Sequence, residues 1–77
     1  MNILVCDDDK EIVEAIEIYL QQEGYHVLKA YDGEQALDMI YAELYDLIVL
    51  DLNLPGMDGM DILRELRKEN EETKVLI

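Results

Sequence analysis

Basic side chains are scarce in this sequence: six Lys and Arg stand against 19 Asp and Glu, a formal net charge of −13 over 77 residues. No basic patch is available to meet a phosphate backbone or an anionic lipid surface, so direct contact with nucleic acid or membrane is not expected of this domain. One cysteine, Cys6, cannot close an internal disulfide, and one histidine, His26, has no second His or Cys with which to build a zinc site. A single histidine also leaves no Ser-His-Asp or Cys-His set to assemble, and glycine-rich phosphate loops are missing. Apolar runs stay far below the roughly 18 residues of a membrane span, and no charged leader precedes an apolar region. The expectation is a soluble chain in a reducing, cytoplasmic setting. Repeats and low-complexity linkers are absent too, and 77 residues with 51% hydrophobic content make one small domain rather than two.

What is present is a regular alternation of two periods. Asn2 to Cys6 is a continuous apolar run of strand length, as a central strand buried on both faces of a parallel sheet requires. From Glu11, Ile12, Ala15, Ile16, Tyr19 and Leu20 recur at three and four residues, with Glu11, Glu14, Glu17 and Gln21 marking a wet face opposite. Gly24 can take the left-handed conformation that closes this helix, and Tyr25 to Ala30 reads as a second strand. Asp32 can cap a second helix, with Gln35 reaching back to complete a capping box. That helix runs to about Leu44 and buries Ala36, Leu37, Ile40 and Leu44. "LIVL", residues 47 to 50, is a third strand. In "LNLPGMDG", Pro55, Gly56 and Gly59 mark a sharp loop, and Asp58 can cap a third helix whose dry face is Met60, Ile62, Leu63 and Leu66. "KVLI" then opens a fourth strand. The order βαβαβαβ with short connections predicts an α/β fold, a parallel sheet wound with right-handed crossovers.

Two of those apolar strands end on acids. Asp7, Asp8 and Asp9 follow the first, and Asp51 follows the third. Asp9 suits the cap of the first helix. In a doubly wound sheet the first strand lies between the second and third, and ligands bind beside the carboxyl ends where the winding reverses. Asp7, Asp8 and Asp51 would all sit there. Carboxylates that close repel one another unless a cation is shared among them. Mg²⁺ suits the set, since it takes oxygen ligands, keeps several waters and commonly binds one or two carboxylates beside a phosphate. Cys6 is expected to be a small buried hydrophobe, His26 a surface residue, and Tyr19, Tyr31, Tyr41 and Tyr45 packing residues.

The acidic pair after the first strand, the stretch "LIVLDLNLPGMDG" and the closing "KVLI" together resemble the receiver domains of two-component response regulators, over the whole chain. The resemblance implies a flavodoxin-like doubly wound sheet of strand order 2-1-3-4, here incomplete. It implies Asp51 as the phosphoacceptor and a metal ligand, Asp8 as a direct Mg²⁺ ligand, Asp7 as its partner through a metal-bound water, and the backbone carbonyl of Asn53 as a further ligand. A sensor histidine kinase is the implied partner. "ILVCDDD" and "LPGMDG" look closest to the receivers that precede a winged-helix DNA-binding domain and regulate transcription. The hydroxyl residue and the lysine that such receivers carry after their fourth and fifth strands have no counterpart, since Lys10 and Lys74 stand elsewhere. Residues 1–77 are therefore expected to be the N-terminal part of a receiver domain with no second domain and with impaired switching. The open edge of the fourth strand and an uncovered sheet face would then favour a homodimer or larger association. Two alternatives remain: a self-associating structural half-domain without chemistry, and an aspartyl-phosphate phosphatase of the haloacid-dehalogenase type. The phosphatase pattern wants an acid two residues after the nucleophile, where this sequence has Asn53.

Overall fold

A parallel sheet needs cover on both faces, because its strands hide apolar side chains on each. The computed structural model, which describes residues 1–77, supplies that cover unequally. Its elements are β1 (Asn2–Cys6), α1 (Lys10–Gln22), β2 (His26–Ala30), α2 (Gly33–Ala42), β3 (Leu47–Leu50), α3 (Gly59–Glu69) and β4 (Lys74–Leu76). All strands pair in parallel in the order β2-β1-β3-β4. The expected α/β architecture and strand order are both present.

β1 lies at the centre, and Ile3 to Cys6 are all buried. Leu4 and Cys6 point into the larger core with Ile48, Leu50, Ala36, Ile40, Ile62 and Leu66, so α2 and α3 cover that face. Ile3 and Val5 point the other way, toward Val13 of α1 and Val27 of β2. On this second side one helix covers a four-stranded sheet, and the ends Leu76 and Ile77 remain 59% and 67% exposed.

The caps form largely as their sequences indicate. Asp9 accepts from the amides of Glu11 and Ile12, Asp32 from Gln35, and Asp58 from Met60. Gln35 does reach back, but to the amide of Tyr31 rather than to that of Asp32, one residue beyond a strict capping box. Gly24 has φ +88° just past Glu23, the residue that caps the end of α1. Four expectations need correction. The buried stripe of α1 is Val13 with half-buried Ile16 and Leu20, while Ile12, Ala15 and Tyr19 are exposed. The helix has two adjacent apolar stripes turned about 100° from each other, and only one can face a sheet. Glu17, expected on the wet face, is half-buried and bonds Lys29 of β2 at 3.1 Å. α2 stops at Ala42 and leaves Leu44 73% exposed, because Tyr45 turns inward instead and satisfies its hydroxyl on the carbonyl of Met39 at 3.0 Å. Met60 is likewise exposed on α3, where Ile62 and Leu66 carry the burial.

Candidate functional site

The geometry of the acidic site begins in the sheet ladder. Cys6 of β1 pairs with Ala30 of β2 and Leu50 of β3, so three strands end at one level. The bonding continues one residue further: the Asp7 amide donates to the Ala30 carbonyl at 3.1 Å, and the Asp51 amide donates to the Cys6 carbonyl at 2.9 Å. Asp7 and Asp51 are therefore fixed by main-chain bonds on neighbouring strands before their side chains do anything. Asp8, the next residue, leaves the sheet beside them.

The side chains converge. One carboxylate oxygen from each of Asp7, Asp8 and Asp51 lies within 4.8 Å of the other two, with Asp7 and Asp51 half-buried and Asp8 exposed. None of the three takes part in the ion pairs of this molecule. The nearby cation Lys10 instead holds its ammonium 5.6 Å from the centroid of the Tyr31 ring. Two of the carboxylates order the adjoining loops through amides: Asp7 Oδ1 accepts from Asp9, and Asp51 Oδ1 accepts from Asn53, each at 2.9 Å. Asn53 is thus brought against Asp51 by its own N–H group.

The donor set fits a hard divalent ion. It offers only oxygen, carries no competing ammonium or guanidinium, and is partly open to the water that Mg²⁺ retains. Ligand oxygens on one octahedral Mg²⁺ stand about 3 to 4 Å apart, so small side-chain movements would close the cluster on an ion. Chemically, the arrangement sets one carboxylate at the end of β3, a group of the type that can act as a nucleophile, beside two further acids that can share a cation with it.

The family of the chain follows from a match to the response regulator receiver domain over residues 3–77. This chain belongs to that family. The receiver is similar to the solved receiver domain of the Francisella response regulator 1452, at 40% identity and a TM-score of 0.88, covering 96% of this chain and 61% of that one. It is similar also to the Thermotoga maritima response regulator TrrA, solved in complex with Mg²⁺ and BeF, at 39% identity and a TM-score of 0.88, covering 96% and 64%. TrrA in complex with the histidine kinase ThkA matches at 39% identity and a TM-score of 0.86, with the same coverage. The receiver chain spans less than two thirds of the length of these relatives.

Other expectations find their places. Cys6 is wholly buried, and desolvation pushes its thiol up to about 12. His26 is exposed. Tyr45 packs and Tyr31 is half-buried, whereas Tyr19 and Tyr41 are exposed, the latter donating to Glu65 across the α2–α3 seam. No helix of the receiver is long and apolar enough to cross a membrane. One contact at the site escaped reading from the sequence: the segment next to Asp51 is held at Leu52, and the loop beyond it, away from the acids, is held separately at Pro55. The Gly33 amide donates to the Pro55 carbonyl at 3.0 Å, and the Gly59 amide to the Leu52 carbonyl at 3.3 Å. A signal existed, because both glycines directly follow a capping Asp at the first position of a helix, where helix propensity gives glycine no advantage.

Proposed function

We propose that this chain is a phosphoacceptor module of two-component signalling, phosphorylated on Asp51 with Mg²⁺ held by Asp7, Asp8, Asp51 and the backbone carbonyl of Asn53. The observation that carries this reading is the convergence of three carboxylates within 4.8 Å at the carboxyl ends of two adjacent strands. Asp51 Oδ would attack phosphorus in line with the leaving group. A bond from that oxygen to phosphorus forms as the P–N bond of a phosphohistidine, or the P–O bond of a small acyl phosphate, breaks, and the leaving group departs with the bonding pair. Bound Mg²⁺ would offset the charge on the transferred oxygens. Asp7 and Asp8 hold position and charge; the amide of Asn53 keeps Asp51 oriented. The domain is proposed to accept a phosphoryl group rather than to turn over substrates, and a sensor histidine kinase is the proposed donor, a reading supported by the complex of the similar TrrA with its kinase. The motifs "ILVCDDD" and "LPGMDG" favour a place among receivers that serve transcription. Switching in these 77 residues alone is proposed to be weak, since no Ser, Thr or Lys lines the groove that reaches Asp7 and Asp51.

Incubation with acetyl phosphate and Mg²⁺ followed by intact-mass measurement tests the assignment. The expected result is one added phosphoryl group, lost in Asp51→Asn and in the presence of a chelator. Addition that persists in Asp51→Asn would place the acceptor elsewhere, and no addition at any donor concentration would leave a structural module.

That second reading has its own support. Ile12, Tyr19, Leu76 and Ile77 are large, apolar and exposed, and β4 presents an unpaired edge. Val5, Ile16, Val49 and Ile77 line an open groove of about 350 Å³ that reaches Asp7 and Asp51. We propose that a second copy of the chain covers this surface, compatible with phosphorylation or without it.

A further inference from the structure

Two helices of the receiver begin on the same dipeptide, Asp32-Gly33 and Asp58-Gly59. The aspartates cap, but the glycines have no evident local purpose. Neither has a positive φ, and glycine weakens a helix relative to alanine. What a glycine does provide is room. A Cβ on Gly59 would stand 2.5 Å from Leu52 Cα, 2.8 Å from the Leu52 carbonyl oxygen and 2.8 Å from Leu52 Cδ2. The first two atoms are backbone and cannot rotate aside. Leu52 is the residue between Asp51 and Asn53.

We propose that Gly59 is a positioning residue for the phosphoacceptor site. Its bare Cα lets the first turn of α3 lie directly on the Leu52 backbone, with the Gly59 amide donating to the Leu52 carbonyl at 3.3 Å. That contact fixes the short segment from which Asp51 presents its carboxylate and Asn53 its amide and carbonyl. The inference rests on the reading of the pocket as a Mg²⁺ and phosphoryl site. Gly33 supplies the internal control: a Cβ there would collide with Met57 Cβ, the same crowding at the same helix position, but at the far side of Pro55 from Asp51.

Gly59→Ala and Gly33→Ala in the 77-residue chain separate positioning from general packing. Three quantities are read: stability by denaturation, exchange of the Asn53 amide without metal, and Mg²⁺ affinity by calorimetry. Gly59→Ala is expected to speed Asn53 exchange about tenfold beyond the change in global stability and to weaken Mg²⁺ binding about tenfold or more, as loss of support behind a metal ligand does. Gly33→Ala is expected to lower stability while holding Mg²⁺ affinity within about threefold. Equal losses of affinity in both variants, or retained affinity in Gly59→Ala, overturn the inference. Failure of the unsubstituted chain to bind Mg²⁺ sinks the reading of the pocket, while Asn53 exchange still decides whether Gly59 holds the segment. Should Gly59→Ala not fold, Leu52→Gly and Leu52→Ala take its place. Freeing the Leu52 backbone with glycine is then expected to reproduce the loss of Asn53 protection, and trimming the side chain to alanine is not; protection kept in Leu52→Gly overturns the assignment.

Discussion

Asp51 serves two ends with one side chain. Its Oδ1 accepts the Asn53 amide and so shapes the loop, and its charge adds to those of Asp7 and Asp8 within 4.8 Å. Asparagine keeps the acceptor and removes the charge. In chelator and at low salt, Asp51→Asn is therefore expected to stabilise the fold by about 1 kcal/mol, the scale of one close like-charge contact in a watery setting. Urea denaturation measures this, and the gain should shrink as salt screens the cluster. An unchanged or lowered stability would mean that the three acids do not repel as their spacing implies. Cys6 offers a second check at this scale. Burial beneath the site pushes its thiol up to about 12, so the thiolate is rare at ordinary pH and the sulfur inaccessible. A thiol reagent at mildly alkaline pH should label Cys6 only at the rate of unfolding, and rapid labelling of the folded chain would contradict the packing of β1.

At the scale of elements, the proposed metal pocket and the fold divide the run of three acids after β1. Asp7 and Asp8 face the pocket, while Asp9 accepts two amides of α1. Asp9→Ala is expected to cost about 1 kcal/mol of stability, as loss of a good N-cap does, and to leave Mg²⁺ affinity close to that of the unsubstituted chain. A loss of binding with no loss of stability would reverse that division. α2 and α3 are joined by the Tyr41 hydroxyl and Glu65, whose carboxyl is held below its usual range by that bond and by Lys68. A depressed carboxyl contributes stability that is present above its unfolded value, near 4.5, and is lost as pH falls through the folded one. Tyr41→Phe should flatten stability against pH on that acid side, and denaturation midpoints across the acid range measure it. Strands, crossovers and caps were legible in the sequence because each depends on a short local pattern, from the run Asn2–Cys6 to Asp58 before Gly59. The acidic run after β1 and the single Asp51 after β3 were legible because both strands announce their carboxyl ends. The side of α1 that meets the sheet was not, since Val13 and Ile12 are equally apolar and only the crossover geometry chooses between them. The end of α2 was missed for a similar reason: Tyr45 competes with Leu44 for one buried place, and its hydroxyl bond to Met39 decides the outcome. Close contacts such as Gly59 on Leu52 join residues with no shared periodicity, so pattern reading passes over them.

For the molecule as a whole, two surface properties act against each other. A net charge of −13 is spread over a body of 31 × 24 × 19 Å, so at low salt, about 10 mM with a Debye length of roughly 30 Å, every copy repels the next. Meanwhile Ile12, Tyr19, Leu76 and Ile77 lie exposed on or beside the face that α1 covers only in part. Burying such surface is worth about 25 cal/mol per Å², independent of charge. Self-association should therefore be weak at low salt and tighten as salt rises toward about 1 M, where the Debye length falls to roughly 3 Å. Sedimentation velocity over a range of concentrations measures this directly. Ile12→Lys and Leu76→Lys replace exposed side chains, so each is expected to leave monomer stability within about 0.5 kcal/mol, the usual range for surface changes. Together they should weaken association at high salt about tenfold or more, because a buried, unpaired ammonium opposes the apolar contact. A chain that stays monomeric at every concentration and salt, or an association that the two lysines leave unchanged, would show that neither the open face nor the β4 edge joins two copies.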